Sequence, residues 1–263
     1  MKQYFVLSLL FMLFALSSVA QVDSLILPFN ATSLTEEQKK SNPDYLAYPL
    51  MLASQMPEIN CNKTTNCLEA IDLGLSVKWA TCNVGAESPE DYGDYFAWGE
   101  TQPKNNYSWS TYKHCAGTNK ALTKYCDSGS YGNDGFIDNK TLLDPEDDAA
   151  TVNWGGSWRM PTKEEYDELR NNCTWTWTTQ SDINGYKVVG PNGNYIFLPA
   201  AGYQDGTSLN DVGSFGFYWS SSLFARLSYY VYYEYFYSNS VFDNFTYRHY
   251  GFTIRPVCPL NKI

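Results

Sequence analysis

The clearest helix in this sequence begins at a T-x-x-E capping box formed by Thr162 and Glu165. The apolar side chains that follow are Tyr166, Leu169 and Cys173, which fall at i, i+3 and i+7 and therefore share one helix face. No second segment shows a helix this clearly, so the sequence predicts one or two helices in all. Most of the remaining regular structure must then consist of strands.

Short strand patterns occupy much of the remaining chain. Residues 75–79 alternate Leu, Val and Trp with polar residues, which is typical of a half-buried strand. The segments YKVVG (186–190) and YIFLP (195–199) flank a Pro-Asn-Gly sequence, and Asn-Gly tolerates the positive φ angles of a tight hairpin turn. Three further strands are predicted at residues 217–222, 230–238 and 251–257.

The connections between these elements are long. Residues 103–153 are polar and rich in Gly, Asn and Asp, which predicts loops with little regular structure. The sequence from Ser88 to Asp91 predicts the capped start of a short helix. We therefore expect an α+β domain with one or two helices, several short antiparallel strands and long loops.

The first 20 residues have the pattern of a secretory signal peptide. Lys2 supplies the positive charge, residues 4–16 are almost wholly apolar, and Ser-Val-Ala at 18–20 forms a cleavage site of small residues. No cysteine follows this site, and no other apolar run approaches a membrane-spanning length. We expect a signal peptide (1–20), an N-terminal extension (21–70) and one domain (71–263). The mature protein is expected to be secreted or at the cell surface, without membrane insertion.

The charge of the chain excludes one class of partner. Its 18 Lys and Arg residues stand against 28 Asp and Glu, which gives a net charge of -10, and the basic residues are scattered. Binding to nucleic acid requires clustered basic residues that neutralise phosphates, so no nucleic-acid partner is expected. Seven cysteines in an exported chain make disulfides possible, and the odd number leaves at least one thiol outside any internal bridge.

No motif in the sequence indicates a metal, a cofactor or an enzymatic activity. His114 lies in a predicted loop and His249 in an aromatic segment, and neither belongs to a nucleophile or metal motif. Residues 127–138 have the length of an EF-hand loop, but the third and fifth positions lack oxygen-bearing side chains of the required type. The acidic run at 144–148 is interpreted as a helix N-cap and a solvated loop, with an oxygen cluster for a cation as the alternative.

Several long motifs occur in a fixed order along the chain. They are DLGLSVKWATCNVGA (72–86), YGDYFAWGET (92–101), DDAATVNWGGSWRMPTKEEYDEL (147–169), IFLPAAGY (196–203), FYWSSSL (217–223) and GFTIRPV (251–257). Together they resemble the Fibrobacter-type major paralogous domain family of Bacteroidota, over roughly residues 70–260. The resemblance implies a C-type-lectin-like fold, in the broad group that includes formylglycine-generating enzymes.

The resemblance also bears on the cysteines and on calcium. Formylglycine-generating relatives use a cysteine pair in the C-terminal half, where this chain offers Cys173 and Cys258, and neither matches a known motif. Since Cys173 closes the predicted helix and Cys258 ends the predicted last strand, we expect a disulfide between them. The E-P-N and Q-P-D triplets of sugar-binding C-type lectins are absent from the sequence, so calcium-dependent sugar binding is not implied.

The segment between the WSSS and GFTIRPV motifs is unusually rich in tyrosine. Eight of the 23 residues from 228 to 250 are Tyr and three are Phe, with few aliphatic residues among them. A buried strand is usually filled with Val, Ile and Leu, and a disordered tail has few aromatic residues. Period-two alternation places Tyr233, Tyr235, Tyr237 and Asn239 on one face, which we expect to be open, and directs Glu234 inward or toward an edge.

A tyrosine-rich open face favours ligand binding, because Tyr offers apolar area, a hydroxyl and few rotatable bonds. We expect an adhesin-like module that binds a protein or glycan through residues 224–250. The alternatives are a structural surface protein whose aromatic pairs only stabilise the sheet, and a relative of the formylglycine-generating enzymes. The candidate binding residues are Phe224, Arg226, Tyr229, Tyr230, Tyr233, Tyr235, Tyr237, Asn239, Phe242, Asn244, Phe245, Tyr247, His249 and Tyr250.

The composition of this segment suggests how such a surface could arise. Some lectin-like proteins are variable proteins of diversity-generating retroelements, which randomise adenines in AAC codons. Such codons cannot become codons for Trp, Gln, Glu, Lys or Met. Residues 224–250 contain a single residue of these five types, Glu234. The segment is therefore a candidate for diversification by a retroelement, with ordinary divergence between paralogues as the alternative.

Overall fold

The structure is a computed structural model that describes residues 67–260. The predicted signal peptide and nearly all of the predicted N-terminal extension lie outside the described residues. Within the described part, no helix is long and apolar enough to cross a membrane.

Short strands dominate the described part of the chain, and the helices are few. The strands are β1 (Ala70–Asp72), β2 (Val77–Ala80), β3 (Thr174–Gln180), β4 (Ile183–Val189), β5 (Tyr195–Pro199), β6 (Tyr203–Asp205), β7 (Ser208–Asn210), β8 (Phe215–Leu223), β9 (Tyr230–Tyr237), β10 (Ser240–Tyr247) and β11 (Val257–Pro259). The α-helices are α1 (Ala149–Trp154) and α2 (Lys163–Asn172), and 3-10 turns occur at Trp109–Thr111, Asn133–Gly135 and Pro145–Asp147. This mixture confirms the α+β prediction at the level of fold class.

The strands described by the structure form four small antiparallel sheets. Their strand orders are β1-β2-β11, β10-β9-β8, β3-β4-β5 and β6-β7. In the first sheet β11 pairs with β2, with Val257 opposite Trp79, so the beginning and the end of the domain are neighbours. In the second sheet β9 is the central strand and β10 lies at the edge.

Two local predictions are confirmed in detail. Helix α2 begins at the expected capping box, in which the Thr162 side chain accepts from the N–H of Glu165 and the Glu165 carboxylate accepts from the N–H of Thr162. Strands β4 and β5 form the expected hairpin. Gly193 in its turn has a φ of 87°, which a residue with a β-carbon rarely adopts.

The β8–β9–β10 sheet lies between two apolar clusters. Tyr166 of α2 packs in one cluster with Tyr218 of β8 and Phe236 of β9, whereas Trp219 of β8 packs in the other cluster with Phe252. Neighbouring residues of a strand point to opposite faces, so adjacent positions of β8 enter different clusters. The sheet is therefore buried on both sides along β8.

The WSSS and GFTIRPV motifs supply much of this buried frame. The indole Nε1 of Trp219 donates to the carbonyl oxygen of Phe96 at 2.7 Å, and its ring stacks on Phe252 with a centroid distance of 4.0 Å. The guanidinium of Arg255 is fully buried and donates to the Asn83 side chain at 2.8 Å and to two backbone carbonyls. Both motifs therefore act through packing and internal hydrogen bonds.

Two predicted elements are wrong in extent. Residues 251–257 do not form one strand, because Gly251, Phe252 and Thr253 bridge three different elements in succession and the strand β11 begins only at Val257. Residues 88–91 form a turn and not the start of a helix. The Asp91 carboxylate accepts from the N–H groups of the turn itself, and a left-handed glycine follows two residues later.

The expected Cys173–Cys258 disulfide is also wrong. Cys173 carries a free thiol, and the disulfide in the described residues joins Cys67 to Cys82. The reason is the alternation of β11: Val257 packs in the cluster of helix α2, to which Cys173 belongs, whereas Cys258 points to the opposite face, toward Trp158. The two sulfurs therefore lie in separate clusters.

Candidate functional site

The β8–β9–β10 sheet and its neighbours divide most of the candidate residues between two surfaces. The tyrosine face consists of Tyr203, Phe215, Phe217, Tyr233, Tyr235, Tyr237, Phe242, Asn244 and Tyr250. The end cluster consists of Trp109, Tyr131, Phe224, Tyr229, Tyr230, Tyr232, Phe245, Tyr247 and His249. Arg226 and Asn239 belong to neither surface and lie in exposed turns.

Tyr235 is the centre of the tyrosine face. In the paired strands it stands between Phe217 of β8 and Phe242 of β10, with ring centroids 5.0 Å and 4.8 Å away. Its ring also stacks on Phe215 at 5.8 Å and lies 5.9 Å from Tyr237. Aromatic rings at these separations hold one another in place, so the face is an ordered array.

The predicted open face of β9 is partly wrong. Tyr233 is only 8% exposed, since its ring packs against Phe217 and Phe252, each with centroids within 6 Å. Residues 251–253 cross beside β8 and cover this end of β9. Tyr235 and Tyr237, farther along the strand, are half-buried and keep part of their surface accessible.

The hydroxyl groups of the tyrosine face differ from those of Tyr95, Tyr107 and Tyr218, which donate to backbone carbonyls. Within residues 67–260, no hydroxyl of the five tyrosines on this face makes a hydrogen bond, and none of these oxygens is fully buried. Burial raises the pKa of Tyr233, and the neighbouring Tyr235, Tyr203 and Tyr250 add to this rise, so these four phenols lie close together. The face therefore presents several unpaired hydroxyls over a packed aromatic base.

Two exposed carboxylates border the tyrosine face. Asp205 is two residues from Tyr203 in β6, and so lies on the same side of that strand. Asp211 follows β7, and its backbone carbonyl accepts from the N–H of Phe215 at 3.1 Å. Burial raises the pKa of Tyr203, and the negative charges of Asp211 and Asp205 raise it further.

The end cluster is an aromatic patch at the end of the sheet where β9 begins and β10 ends. Phe224 stacks on Phe245 at 4.1 Å, and Phe245 is 42% exposed. Tyr230 lies 4.9 Å from Tyr247, and a hydrogen bond with Tyr247 is the main reason that the pKa of Tyr230 is raised to about 12. The end cluster is therefore a packed aromatic patch that stays partly open to solvent.

The two histidines are buried in different surroundings. His114 Nε2 lies 2.8 Å from the carbonyl oxygen of Gly99, and burial lowers the pKa of this histidine. His249 packs between Trp109 and Tyr250, with centroids 4.8 Å and 4.6 Å away, and its Nδ1 has no hydrogen-bond partner. Burial lowers the pKa of His249 to about 4, so this ring is neutral at physiological pH.

Glu234 points inward, as the alternation of β9 predicts, and the structure explains its presence. It is fully buried, and its carboxylate lies 2.7 Å from the Arg170 guanidinium of α2. Arg170 also contacts Asp167 and Asp243, which joins the helix to strands β9 and β10. Burial raises the pKa of Glu234 to about 8, although Arg170 opposes this rise.

The acidic run at 144–148 surrounds a lysine of the same chain. The Lys124 ammonium lies within 3.0 Å of carboxylate oxygens of Asp144, Glu146 and Asp147. Asp148 accepts from the N–H of Thr151 and caps helix α1. The interpretation of this run as a helix cap therefore holds, and an internal cation already occupies its oxygen cluster.

Several residues of the two surfaces were missed by sequence reasoning. Tyr203, Asp205 and Asp211 come from the β6–β7 hairpin, and Phe215 begins β8, so all precede the tyrosine-rich segment. The available signal was the i, i+2 spacing of Phe215 and Phe217, which matches that of the tyrosines in β9. Where the β6–β7 hairpin packs could not be predicted from neighbouring residues in the sequence, because contacts with distant parts of the chain determine its position.

Comparison with known proteins adds nothing to this description. No protein-family model, no curated protein and no solved structure matches the chain. The resemblance to the major paralogous domain family therefore stays a prediction.

Proposed function

We propose that this protein is an exported, adhesin-like module that binds a protein or glycan ligand through the tyrosine face. The predicted signal peptide supports export, and sequencing of the mature N-terminus should find Gln21 first. The single observation that carries the binding proposal is the set of unpaired tyrosine hydroxyls on an ordered aromatic surface. Such groups remain available to hydrogen-bond a ligand.

The support beneath this face suits recognition. Behind β9, the carboxyl group of Glu234 lies 2.7 Å from the Arg170 guanidinium and ties the sheet to helix α2, and Phe236 packs in the helix cluster. Side chains held by such packing lose little conformational entropy when a ligand binds. Tyr235 and Tyr237 therefore combine accessible surface with low mobility, the combination that antibody combining sites use.

The competing proposal is a structural surface protein without a dedicated ligand. It is supported by the direct aromatic pair of Tyr235 with Phe242, because cross-strand pairs of this kind stabilise a sheet by themselves. The two proposals differ in what the hydroxyls do. A structural role needs the rings only, whereas recognition needs the rings and the hydroxyls.

Glycan and peptide arrays would test binding with the mature protein. We expect reproducible ligands whose binding is lost in the double variant Tyr235→Ser/Tyr237→Ser. The matched control is Tyr195→Ser, since Tyr195 is 51% exposed on β5, outside both surfaces. Melting temperatures of all variants should be measured. An absence of ligands, or ligands that the double variant still binds, would favour the structural alternative.

We also propose that a diversity-generating retroelement varies this surface. Randomisation of an AAC codon cannot produce a Glu codon, so Glu234 is expected to be an invariant residue of the fold. Its burial beside Arg170 supports this expectation. The coding sequence provides the test. The codons of Phe242 and Phe245 should be TTC, that of Asn239 AAC and that of His249 CAC, and TAC should encode Tyr229, Tyr233, Tyr235, Tyr237, Tyr247 and Tyr250. A near-copy with AAC at these sites should lie beside a reverse transcriptase. Free use of TAT, with no such repeat, would indicate ordinary divergence.

A further inference from the structure

Among the residues that the structure describes, no Lys or Arg side chain stands over the rings of the tyrosine face or pairs with its two bordering carboxylates. We propose that this surface binds cationic side chains, and that its ligand is a basic segment of another protein that presents Arg or Lys. The inference rests on the proposed function, because it names the chemical class of the ligand that the tyrosine face recognises.

Strand geometry places the carboxylates beside the aromatic rings. Strand β6 is bridged to Gly251 through Gln204, which brings Tyr203 to 5.9 Å from Tyr250 and 4.8 Å from Phe217. Asp205 lies on the same side of β6 as Tyr203, and Asp211 lies in the turn between β7 and β8, where its backbone carbonyl accepts from the N–H of Phe215. The two carboxylates therefore border the same group of rings.

Neither carboxylate is engaged by the protein itself. Within residues 67–260, the side chains of Asp205 and Asp211 form no hydrogen bond and no ion pair, and both residues are exposed. Some other acidic groups of the described chain are paired with a cation: Glu100 with Lys104, Asp147 with Lys124 and Glu234 with Arg170. The two carboxylates at the border of the tyrosine face are therefore available to a cation from another molecule.

The rings of the tyrosine face also lack a cation of their own. Elsewhere in the described chain, Lys104, Lys124, Lys163, Lys187 and Arg248 stand within 6 Å of the centroids of other aromatic rings. None stands over a ring of the tyrosine face. Ring faces attract cations through their quadrupole, and nearby carboxylates add to that attraction.

The nearly buried hydroxyl of Tyr233 also supports a cation site on the tyrosine face. Tyr233 is more than nine-tenths buried, yet its hydroxyl has no hydrogen-bond partner within the described residues, and it lies among Tyr203, Tyr235 and Tyr250. A guanidinium or ammonium group seated over these rings could donate to that oxygen. The net charge of -10 would further attract a basic segment over longer distances.

A pair of peptides tests the proposal directly. The probe is a short fluorescent peptide of alternating Arg and Gly, and its control carries citrulline, a neutral isostere, in place of Arg. We expect the mature protein to bind the Arg peptide at least about tenfold more tightly in fluorescence anisotropy, since a cation over a desolvated ring contributes roughly this much. Displacement of the peptide by tetramethylammonium, but not by sodium at equal ionic strength, would support aromatic recognition.

Two double variants separate local recognition from general attraction. Asp205→Asn/Asp211→Asn should weaken binding of the Arg peptide about tenfold. Asp134→Asn/Asp182→Asn changes the net charge equally at two exposed positions outside the tyrosine face, and should leave binding nearly unchanged. Equal weakening in both double variants would overturn the proposal, because it would show unspecific attraction to an acidic protein.

Failure of this inference can be told apart from failure of the proposed function. Equal binding of the Arg and citrulline peptides would overturn the cation proposal. An array ligand whose binding requires Tyr235 and Tyr237 but neither Asp205 nor Asp211 would also overturn it, and would leave the binding function standing. If no array ligand and neither peptide binds, both proposals are overturned together.

Discussion

Two groups of tyrosines in this protein differ in the use of one oxygen atom. In the frame, the hydroxyls of Tyr95, Tyr107, Tyr112, Tyr186 and Tyr218 each donate to a backbone carbonyl at 2.5–3.0 Å. On the tyrosine face the rings pack equally closely, but the hydroxyls find no partner within residues 67–260. Buried Tyr166 is an exception, since its hydroxyl also lacks a partner.

The state of the hydroxyl separates a structural tyrosine from a candidate recognition residue. Ring packing is favourable in both groups, so aromatic contacts alone do not distinguish them. A structural tyrosine satisfies its hydroxyl inside the fold, because a buried polar group without a hydrogen bond is costly. A tyrosine that keeps its hydroxyl accessible and unpaired retains bonding capacity for another molecule.

The largest expected effect compares the frame with the face. Trp219→Ala should lower the free energy of unfolding by about 3–5 kcal/mol, because it empties a fully buried site and removes the bond to Phe96. Tyr235→Ala should lower it by about 1 kcal/mol, since that ring is half-buried. Chemical denaturation would measure both. Equal losses would break the distinction between frame and face.

A second comparison concerns the two sides of β9 and their response to pH. Because burial raises the pKa of Glu234 to about 8, its neutral form stabilises the folded state. That contribution is complete below pH 4.5 and is lost as the pH rises toward 8. Glu234→Gln removes the titration, so its stability relative to wild type should increase by a few kcal/mol between pH 4.5 and 8.

Thermal melts of wild type and Glu234→Gln across this pH range would provide the measurement. Tyr237→Phe, on the opposite side of β9, is the matched control and should follow the pH dependence of wild type. If wild type and Glu234→Gln had parallel pH profiles, Glu234 would be ionised throughout as a partner of Arg170.

The smallest expected effect tests the hydroxyls themselves. Tyr218→Phe removes the hydroxyl that donates to Pro199 at 2.7 Å, and should lower the free energy of unfolding by about 1 kcal/mol. Tyr235→Phe removes a hydroxyl without an internal partner, and should change stability by less than about 0.5 kcal/mol. A substantial loss in Tyr235→Phe would mean that this hydroxyl already has a structural role.

What the sequence predicts well are the features that depend on nearby residues. The capping box of α2 and the Asn-Gly turn between β4 and β5 each involve a few consecutive residues, so a short stretch of sequence is enough to predict them. The alternation of β9 likewise separates Tyr233 and Tyr235 from Glu234 without reference to other strands.

What the sequence does not predict are the features that depend on which elements meet. Alternation separates the two sides of β9, but it cannot say that residues 251–253 cover Tyr233 while Tyr235 stays accessible. Strand β10 was missed because all its residues have intermediate or high exposure, which leaves no alternating pattern. The error about Cys258 has the same origin, since one position along β11 decides which cluster a side chain enters.

The pairing of β2 with β11 has a consequence for how the chain folds. Trp79 and Val257 are opposite each other in one sheet, and Phe96 bridges Phe252 in the same way. A chain that closes such distant contacts folds slowly, because the entropy of closing the loop is lost before the contacts form. The sheet of β2 is complete only when β11, close to the end of the domain, pairs with it. We therefore expect the domain to reach its native state only after residues 257–259 have been synthesised, and a truncation before Val257 to leave the whole domain unfolded.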